Sequence, residues 1–194
     1  VALKVKRNVL KDLSKNTKVI VVTGTNGKTT SCRILEEGLK KAGKSYFINK
    51  SGANLITGVT ASFIMNSTVT GKCKKDYAII ECDENAFKEV SRYIHCDVIL
   101  VTNVFRDQLD RYGEIDITMN ILKEVMQSAP KMKVIVNGDD ALSAYLAMES
   151  GNPYVTYGIS EKVVDDKDSH EIREGRFCKK CGAPLKYNFY HYSQ

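Results

Sequence analysis

Short runs of apolar, mostly β-branched residues alternate with amphipathic segments along most of this chain. The apolar runs cover residues 18–22, 46–48, 77–82, 98–101 and 134–136, with a weaker run at 155–157. Helical periodicity is found between them, over residues 28–42, 55–65, 115–129 and 140–148. Strands that are apolar throughout and separated by helices are typical of a parallel sheet covered on both faces. The sequence therefore predicts an α/β fold with a doubly wound, mostly parallel sheet, whose ligands bind beyond the carboxyl ends of the strands.

Two of the predicted helices carry an apolar stripe that should face the sheet. In the helix over residues 28–42, we expect the stripe to be Ile34, Leu35 and Leu39. In the helix over residues 115–129, we expect it to be Ile117, Ile121, Val125 and Met126. Gly43 follows the first of these helices, at the position where a left-handed glycine commonly ends a helix.

Composition limits the chain to soluble globular classes. Of its 194 residues, 43% are hydrophobic and 27% are charged, which allows a real core and excludes a disordered or fibrous chain. The uncharged stretch over residues 51–71 contains several Gly and Asn residues, so we do not expect it to span a membrane. The net charge of +6 suits phosphate ligands or an anionic membrane surface and is too diffuse for a nucleic-acid interface.

The chain divides into three regions by sequence character. Residues 1–17 contain a short basic amphipathic helix over residues 3–14, residues 18–160 form the α/β domain, and residues 161–194 hold a charged linker and two closely spaced cysteines. The six cysteines show no disulfide framework, which favours a reducing, cytoplasmic setting. The chain begins without Met and without a signal sequence, so we expect a fragment of a longer protein.

The segment T-G-T-N-G-K-T-T follows the first strand and opens the first long helix. Its residues are the candidates for ATP binding: Thr23, Gly24, Thr25, Asn26, Gly27, Lys28, Thr29 and Thr30. Glycines let backbone N–H groups approach a polyphosphate, and the helix N-terminus adds its dipole. Lys28 would contact the β- and γ-phosphates, and the Thr29 hydroxyl would bind Mg²⁺. The general P-loop pattern has a glycine where this chain has Val22, so that pattern is not met.

This form of the loop is characteristic of the Mur ligase superfamily, which the chain resembles. The superfamily consists of ATP-dependent amide-bond synthetases and includes the Mur enzymes of peptidoglycan synthesis and folylpolyglutamate synthase. The third strand ends in E-C-D-E, and a carboxylate at such a position can hold Mg²⁺. Glu81 best matches the metal-serving glutamate of the superfamily, with Glu84 second, so the resemblance implies Lys28 and Glu81 as catalytic residues. We expect Asp83 and Glu84 to cap the following helix.

Two further segments resemble superfamily motifs. Residues 102–114 include T-N-V-F-R-D-Q-L-D, where most Mur ligases have a metal-binding histidine at the position of Gln108. A neutral amide is a weaker ligand, so we expect one dominant Mg²⁺ rather than two. Asn103 and the aspartates around Gln108 are either part of the site or ordinary turn and N-cap residues. In V-N-G-D-D, over residues 136–140, the resemblance makes Asn137 a candidate for contact with the adenine base, or else a loop residue before the next helix.

Cys178 and Cys181 form a C-x-x-C-G motif that resembles half of a zinc ribbon. The alternative is a redox motif, but such motifs open a helix, and Gly182 and Pro184 oppose a helix here. The two cysteines are candidate zinc ligands, and the remaining ligands are not evident. His191 is a weak third candidate. The sequence therefore predicts the start of a zinc-ribbon insertion, with zinc bound in the intact protein.

Together, the cysteine motif and F-R-D-Q in place of the histidine motif resemble one branch of the superfamily, the synthetase subunits of lipid II isoglutaminyl synthases. That resemblance implies ATP, Mg²⁺ and Zn²⁺ as cofactors, and a GatD-type glutamine amidotransferase as a partner that supplies ammonia. It implies amidation of the D-glutamate α-carboxylate of the lipid II stem peptide to D-isoglutamine through an acyl phosphate, at the inner face of the cell membrane. The basic start of the chain would contact the membrane or simply be solvated.

Two other functions remain open from the sequence. One is an amino-acid-adding Mur or folylpolyglutamate-type ligase, against which both Gln108 and the cysteine pair count. The other is a nucleotide-binding interaction module without catalysis, because nothing in the chain matches the C-terminal domain that carries further catalytic residues in Mur ligases. ATP-dependent incorporation of ammonia would separate these functions.

Overall fold

Six strands form one sheet at the centre of the protein. The computed structural model describes residues 9–49, 55–105, 114–159 and 176–186. Its strands are β1 (Lys18–Thr23), β2 (Tyr46–Ile48), β3 (Tyr77–Glu81), β4 (Val98–Val101), β5 (Lys133–Asn137) and β6 (Tyr154–Tyr157). Their order across the sheet is β2-β3-β1-β4-β5-β6, and every pairing is parallel. The predicted parallel α/β sheet is confirmed.

The predicted helices over residues 28–42, 55–65, 115–129 and 140–148 are confirmed, with their ends shifted by a few residues. The predicted helix over residues 3–14 is helical from Val9, where its description begins, and the helix after Asp83 lies outside the periodic segments. The described residues contain six helices. They are α1 (Val9–Ser14), α2 (Lys28–Lys41), α3 (Ile56–Met65), α4 (Glu84–Val90), α5 (Glu114–Ser128) and α6 (Ala141–Ser150). Gly43 ends α2 as predicted, with φ 65°. The N–H groups of Gly43 and Lys44 donate to Lys40 and Leu39 respectively, which satisfies two carbonyls of the last helical turn. Among the helices in the described residues, none is both long and apolar enough to cross a bilayer.

The two faces of the sheet are covered unequally. Residues from α1, α3, α4, α5 and α6 pack on one face and form the large core cluster. On the other face, α2 contacts β1, β2 and β3, where Cys32 packs against Val22 and Ile79. Further along that face, Ile20 and Ile135 are only half-buried. Helices thus lie on both faces, which confirms the doubly wound sheet, and the cover is thinner on the face of α2 in the described residues.

Two predicted stripe residues face solvent. Ile34 of α2 is 67% exposed and Ile117 of α5 is 60% exposed. Each helix carries two overlapping apolar stripes, and the stripe that packs against the sheet is not the predicted one. The residues that pack inward are Cys32, Leu35 and Leu39 on α2, and Met119, Leu122, Val125 and Met126 on α5. The spacing alone does not distinguish two stripes that are offset by one or two residues.

Candidate nucleotide-binding site

The glycine-rich loop lies where ligands bind in parallel α/β sheets. The chain leaves β1 towards β2 on one side and leaves β4 towards β5 on the other, so a crevice opens between the carboxyl ends of β1 and β4. Residues 24–27 lie at this crevice, between β1 and α2. Thr23 is the buried last residue of β1, and Thr29 and Thr30 are exposed in the first turn of α2. The structure therefore brings the candidate ATP-binding residues of this loop together.

The N-terminus of α2 has no side-chain cap. Its N-cap residue is Gly27, in a left-handed conformation with φ 81°. By contrast, α4 and α6 begin at Asp83 and Asp140, whose carboxylates accept hydrogen bonds from the first turn of each helix. The first N–H groups of a helix have no acceptor within the helix. Because Gly27 provides no side-chain cap, those of α2 suit a phosphate ligand.

Gly24 allows the loop to lie directly against the end of β4. Its φ is 125°, and a Cβ atom at this position would lie 2.3 Å from Thr102 Oγ1 and 2.7 Å from the Asn103 carbonyl oxygen. Such distances are far below van der Waals contact. Any larger residue would therefore push the loop away from the sheet.

Asn103 binds backbone groups of the loop. Its Oδ1 accepts a hydrogen bond from the Asn26 N–H at 2.9 Å, and its Nδ2 donates to the Asn26 carbonyl at 3.0 Å. The Asn103 carbonyl also accepts from the Thr25 N–H at 3.1 Å. Thr25 Oγ1 donates to the Phe105 carbonyl at 3.1 Å and accepts from its N–H at 3.0 Å. Asn103 is thus a loop-positioning residue, a role that neither sequence interpretation anticipated.

Lys28 lies over the loop. Its Nζ donates to the Gly24 carbonyl at 2.5 Å and to the Thr25 carbonyl at 3.1 Å. Lys28 is half-buried, and these two hydrogen bonds hold its ammonium group at the loop. A cation held here lies beside the uncapped N-terminus of α2. Both features favour a polyphosphate at the same place.

Thr29 and Glu81 meet beside the loop, on the side of β1 where β3 lies. Thr29 Oγ1 donates to Glu81 Oε1 at 2.8 Å. Glu81 is the last residue of β3 and pairs with Val22 of β1, so the sheet itself places its carboxylate near the loop. Below this pair lies the buried thiol of Cys32, whose pKa burial and the nearby Glu81 carboxylate raise to about 12. Cys32 therefore remains a neutral thiol.

The Thr29–Glu81 pair fits a magnesium ion. Hydroxyl and carboxylate oxygens are the ligands that Mg²⁺ prefers, and Mg²⁺ usually takes one or two protein ligands together with phosphates and water. Within the described ranges, no three His, Cys, Asp or Glu side chains are grouped to hold a metal ion. The residues present therefore suit an ion that arrives with a nucleotide rather than one caged by protein alone.

The remaining candidate residues lie at the ends of strands and helices or outside the described residues. Asp83 caps α4 as predicted, accepting from the Ala86 N–H at 2.7 Å. Glu84 is the first residue of α4, in the first turn. Asn137 ends β5 and is 9% exposed, and its Oδ1 accepts from the Asp139 N–H at 3.0 Å. Its proposed contact with adenine stays a prediction. Gln108 and its neighbouring aspartates, like His191, lie outside the described residues.

Asp140 connects the end of β5 to the segment that holds the loop. It caps α6, and its Oδ2 accepts from the Val104 N–H at 2.9 Å. Val104 lies between Asn103 and Phe105, the two residues that bind the loop. Burial raises the pKa of Asp140, while its hydrogen bonds to Ser143 and to backbone N–H groups act in the opposite direction. The sequence suggested no such role for Asp140 beyond starting a helix.

Cys178 and Cys181 lie on a tight hairpin turn rather than a helix. The Gly182 N–H donates to the Cys178 carbonyl, and the Cys178 N–H donates to the Ala183 carbonyl, both at 2.8 Å. The pKa of Cys178 is lowered by hydrogen bonds from the backbone of Cys181 and Lys180. Thiolates bind metals, so this turn is chemically suited to zinc. Two ligands do not complete a zinc site, and no third one is grouped with them in the described part of the chain.

Comparisons with known proteins agree with this architecture. The Mur ligase middle domain matches residues 22–188. The chain is 34% identical to the lipid II isoglutaminyl synthase (glutamine-hydrolyzing) subunit MurT of Streptococcus pneumoniae, with all of this chain and 42% of that protein aligned. It is 36% identical to the subunit of the same name from Staphylococcus aureus, again over the whole chain and over 43% of the relative. The chain therefore spans less than half the length of these relatives.

A solved structure shows the same fold. The MurF ligase from Thermotoga maritima, determined in complex with ADP, superimposes with a TM-score of 0.65 at 19% sequence identity. The match covers 79% of this chain and 35% of that protein. At this identity the likeness concerns the fold alone.

Proposed function

Because this chain belongs to the Mur ligase family, whose middle domain it matches, we propose that it is the ATP-binding part of a MurT-type amide ligase. The observation that carries the proposal is the contact between Thr29 Oγ1 and Glu81 Oε1, 2.8 Å long, on the same helix turn as Lys28, whose ammonium group is bound to the loop. This arrangement places two oxygen ligands and one cation at an uncapped helix N-terminus. A nucleoside triphosphate with Mg²⁺ needs all three: oxygen ligands for the metal, a cation, and free N–H groups for the phosphates.

In the proposed site each residue has a separate task. Lys28 would neutralise charge on the β- and γ-phosphates. Thr29 and Glu81 would hold Mg²⁺, which would supply positive charge for phosphoryl transfer. The backbone N–H groups of α2 bind the phosphate oxygens. Thr23, Gly24, Thr25, Asn26, Gly27 and Thr30 shape the loop. Asn137, at the end of β5, is our candidate for the adenine side.

The proposed reaction converts a carboxylate to an amide in two transfers. An oxygen of the D-glutamate α-carboxylate attacks the γ-phosphorus of ATP, and the bond to ADP breaks, which gives an acyl phosphate. Ammonia then attacks the carbonyl carbon, phosphate leaves, and the nitrogen loses a proton to water. Phosphorylation is required because a carboxylate is a poor electrophile, and the cations screen the two anions from each other.

We base the choice of amidation on the two MurT subunits with which the whole of this chain aligns. Their names describe a subunit of a glutamine-hydrolyzing lipid II isoglutaminyl synthase. For this chain we propose the lipid II stem peptide as substrate, a GatD-type glutaminase as the source of ammonia, and action at the inner face of the membrane. Residues 18–160 would supply the nucleotide site and residues 161–194 the linker and cysteine turn.

The cysteine turn belongs to this proposal as half of a zinc ribbon. The exposed turn and the lowered pKa of Cys178 favour metal binding. A structural zinc site takes four ligands, so two further ligands would come from elsewhere in the protein. Elemental analysis of full-length protein purified without chelator is expected to give one zinc per chain. Absence of zinc would remove the ribbon from the proposal and leave the nucleotide site unaffected.

The proposed activity is tested with the full-length gene product and a glutaminase. We expect ATP hydrolysis coupled to transfer of ¹⁵N from amide-labelled glutamine into lipid II, detected by mass spectrometry. Replacing glutamine with ammonium salts should bypass the glutaminase. Addition of an amino acid in place of ammonia would instead identify an amino-acid-adding ligase, and ATP binding without turnover would identify an interaction module.

A further inference from the structure

β2 ends two residues before the level of Glu81 on β3. β2 pairs with β3 in the register Tyr46–Tyr77, Phe47–Ala78 and Ile48–Ile79. The next residue, Asn49, donates its N–H weakly to the Ile79 carbonyl, at 3.4 Å. Glu81 lies two residues beyond Ile79, and its N–H and carbonyl point towards the side of β3 on which β2 lies.

The side chain of Asn49 completes the sheet at this point. Asn49 Oδ1 accepts from the Glu81 N–H at 2.8 Å, and Asn49 Nδ2 donates to the Glu81 carbonyl at 2.8 Å. One primary amide thus makes both bonds that a neighbouring peptide unit would make in a parallel sheet. Asn49 is 3% exposed, so water does not compete with these bonds.

We propose that Asn49 is a positioning residue for the metal-binding carboxylate of Glu81. On the other edge of β3, Val22 of β1 fixes the strand through the Cys82 N–H at 3.2 Å. Asn49 fixes the remaining edge, so the Glu81 backbone is held from both sides directly beneath its side chain. The inference depends on the proposed function, because it assumes that the Glu81 carboxylate serves Mg²⁺.

The geometry requires an asparagine. Aspartate has the same shape but lacks the Nδ2 donor, and it would place a negative oxygen against the Glu81 carbonyl. Alanine would leave the half-buried N–H and carbonyl of Glu81 without these partners. In either case the end of β3 should move and the carboxylate should lose its fixed position. Residues that orient metal ligands commonly change metal affinity when they are replaced.

The test measures how much Mg²⁺ the full-length gene product needs to bind ATP. A fluorescent ATP analogue is titrated at increasing Mg²⁺ and, separately, in excess EDTA. For Asn49→Ala and Asn49→Asp we expect the half-saturating Mg²⁺ concentration to rise roughly tenfold. Nucleotide affinity in EDTA should stay within about twofold of the parent, because the loop and Lys28 are unchanged. A general loss of stability would not change the Mg²⁺ requirement while leaving the nucleotide affinity in EDTA unchanged.

Asn152→Ala is the matched control. Asn152 is also a buried asparagine, 5% exposed, and its Nδ2 donates to the carbonyls of Ala129 and Met132, next to the start of β5. Its replacement should lower the melting temperature and leave the Mg²⁺ requirement unchanged. If both Asn49 variants keep the Mg²⁺ requirement of the parent, or if Asn152→Ala shifts it equally, the inference is wrong.

Glu81→Gln separates this inference from the proposed function. We expect it to abolish most of the Mg²⁺ dependence. If it does, and the Asn49 variants behave as the parent, only the positioning role fails. If Glu81→Gln itself keeps the parental Mg²⁺ requirement, the metal assignment of Glu81 fails, and the role of Asn49 fails with it.

Discussion

At the scale of single residues, the proposed site depends on charges that the backbone holds in place. Lys28 illustrates this, because two loop carbonyls fix its ammonium group. Lys28→Ala should weaken ATP binding by about 1.5–3 kcal/mol, the usual loss for a hydrogen bond to a charged group. This corresponds to roughly a 10- to 150-fold rise in Kd, measurable by calorimetry.

Lys41→Ala is the control for this experiment. Lys41 is the exposed last residue of the same helix, α2, so its removal changes the net charge by the same amount far from the loop. It should leave the Kd nearly unchanged. Equal affinities of the parent and Lys28→Ala would contradict the assignment of Lys28 to the phosphates.

Cysteine reactivity provides a second test at this scale. The pKa of Cys178 is lowered by backbone hydrogen bonds, whereas burial raises the pKa of both Cys32 and Cys96 to about 12. Since the thiolate is the reactive form, metal-free protein at pH 7–8 should be alkylated by iodoacetamide at Cys178 well before Cys32 or Cys96. Mass spectrometry of the digested protein gives the order. Faster labelling of the buried cysteines would contradict the structure.

At the scale of elements, Asp140 joins α6 to the segment that positions the loop. Its pKa is raised above the ordinary 3.8, chiefly by burial, so the folded protein holds this proton more tightly than the unfolded chain. The contribution of Asp140 to stability is therefore present at low pH and declines as the pH rises from about 4 through the raised pKa.

Asp140→Asn removes this titration and keeps a good N-cap residue. The free energy of unfolding of Asp140→Asn, relative to the parent, should therefore improve as the pH rises from 4 to 7. Urea unfolding at several pH values measures the difference. A difference that does not change with pH, or that changes in the opposite direction, would show that burial does not dominate at this carboxyl group.

Sequence reasoning was most successful where the information is local. The strands, the helices, the glycine at the end of α2 and the Asp83 cap all depend on neighbours within a few residues, and the structure has them. The buried faces of α2 and α5 depend on how the helices pack, so the overlapping stripes containing Ile34 and Ile117 were misassigned. Asn49 and Asn103 were missed as positioning residues because their partners are 32 and 77 residues away in the chain.

At the scale of the whole molecule, binding should stabilise the folded protein. A ligand at 100 times its Kd adds about 2.7 kcal/mol to the free energy of unfolding. We therefore expect saturating ATP with Mg²⁺ to raise the melting temperature of the parent, and to raise that of Lys28→Ala much less at the same concentrations. Differential scanning fluorimetry measures both. An equal rise in the two proteins would indicate binding away from the loop.

The attachment of the loop to the end of β4 also affects the order of events during folding. Thr25 and Phe105 are 80 residues apart, so the loop gains its shape only after β4 has joined the sheet beside β1. Contacts between distant parts of a chain form slowly because closing a long stretch of chain is entropically unfavourable. During refolding, the capacity to capture nucleotide should therefore emerge late, with the final long-range pairings, even though the residues that contact phosphate are consecutive.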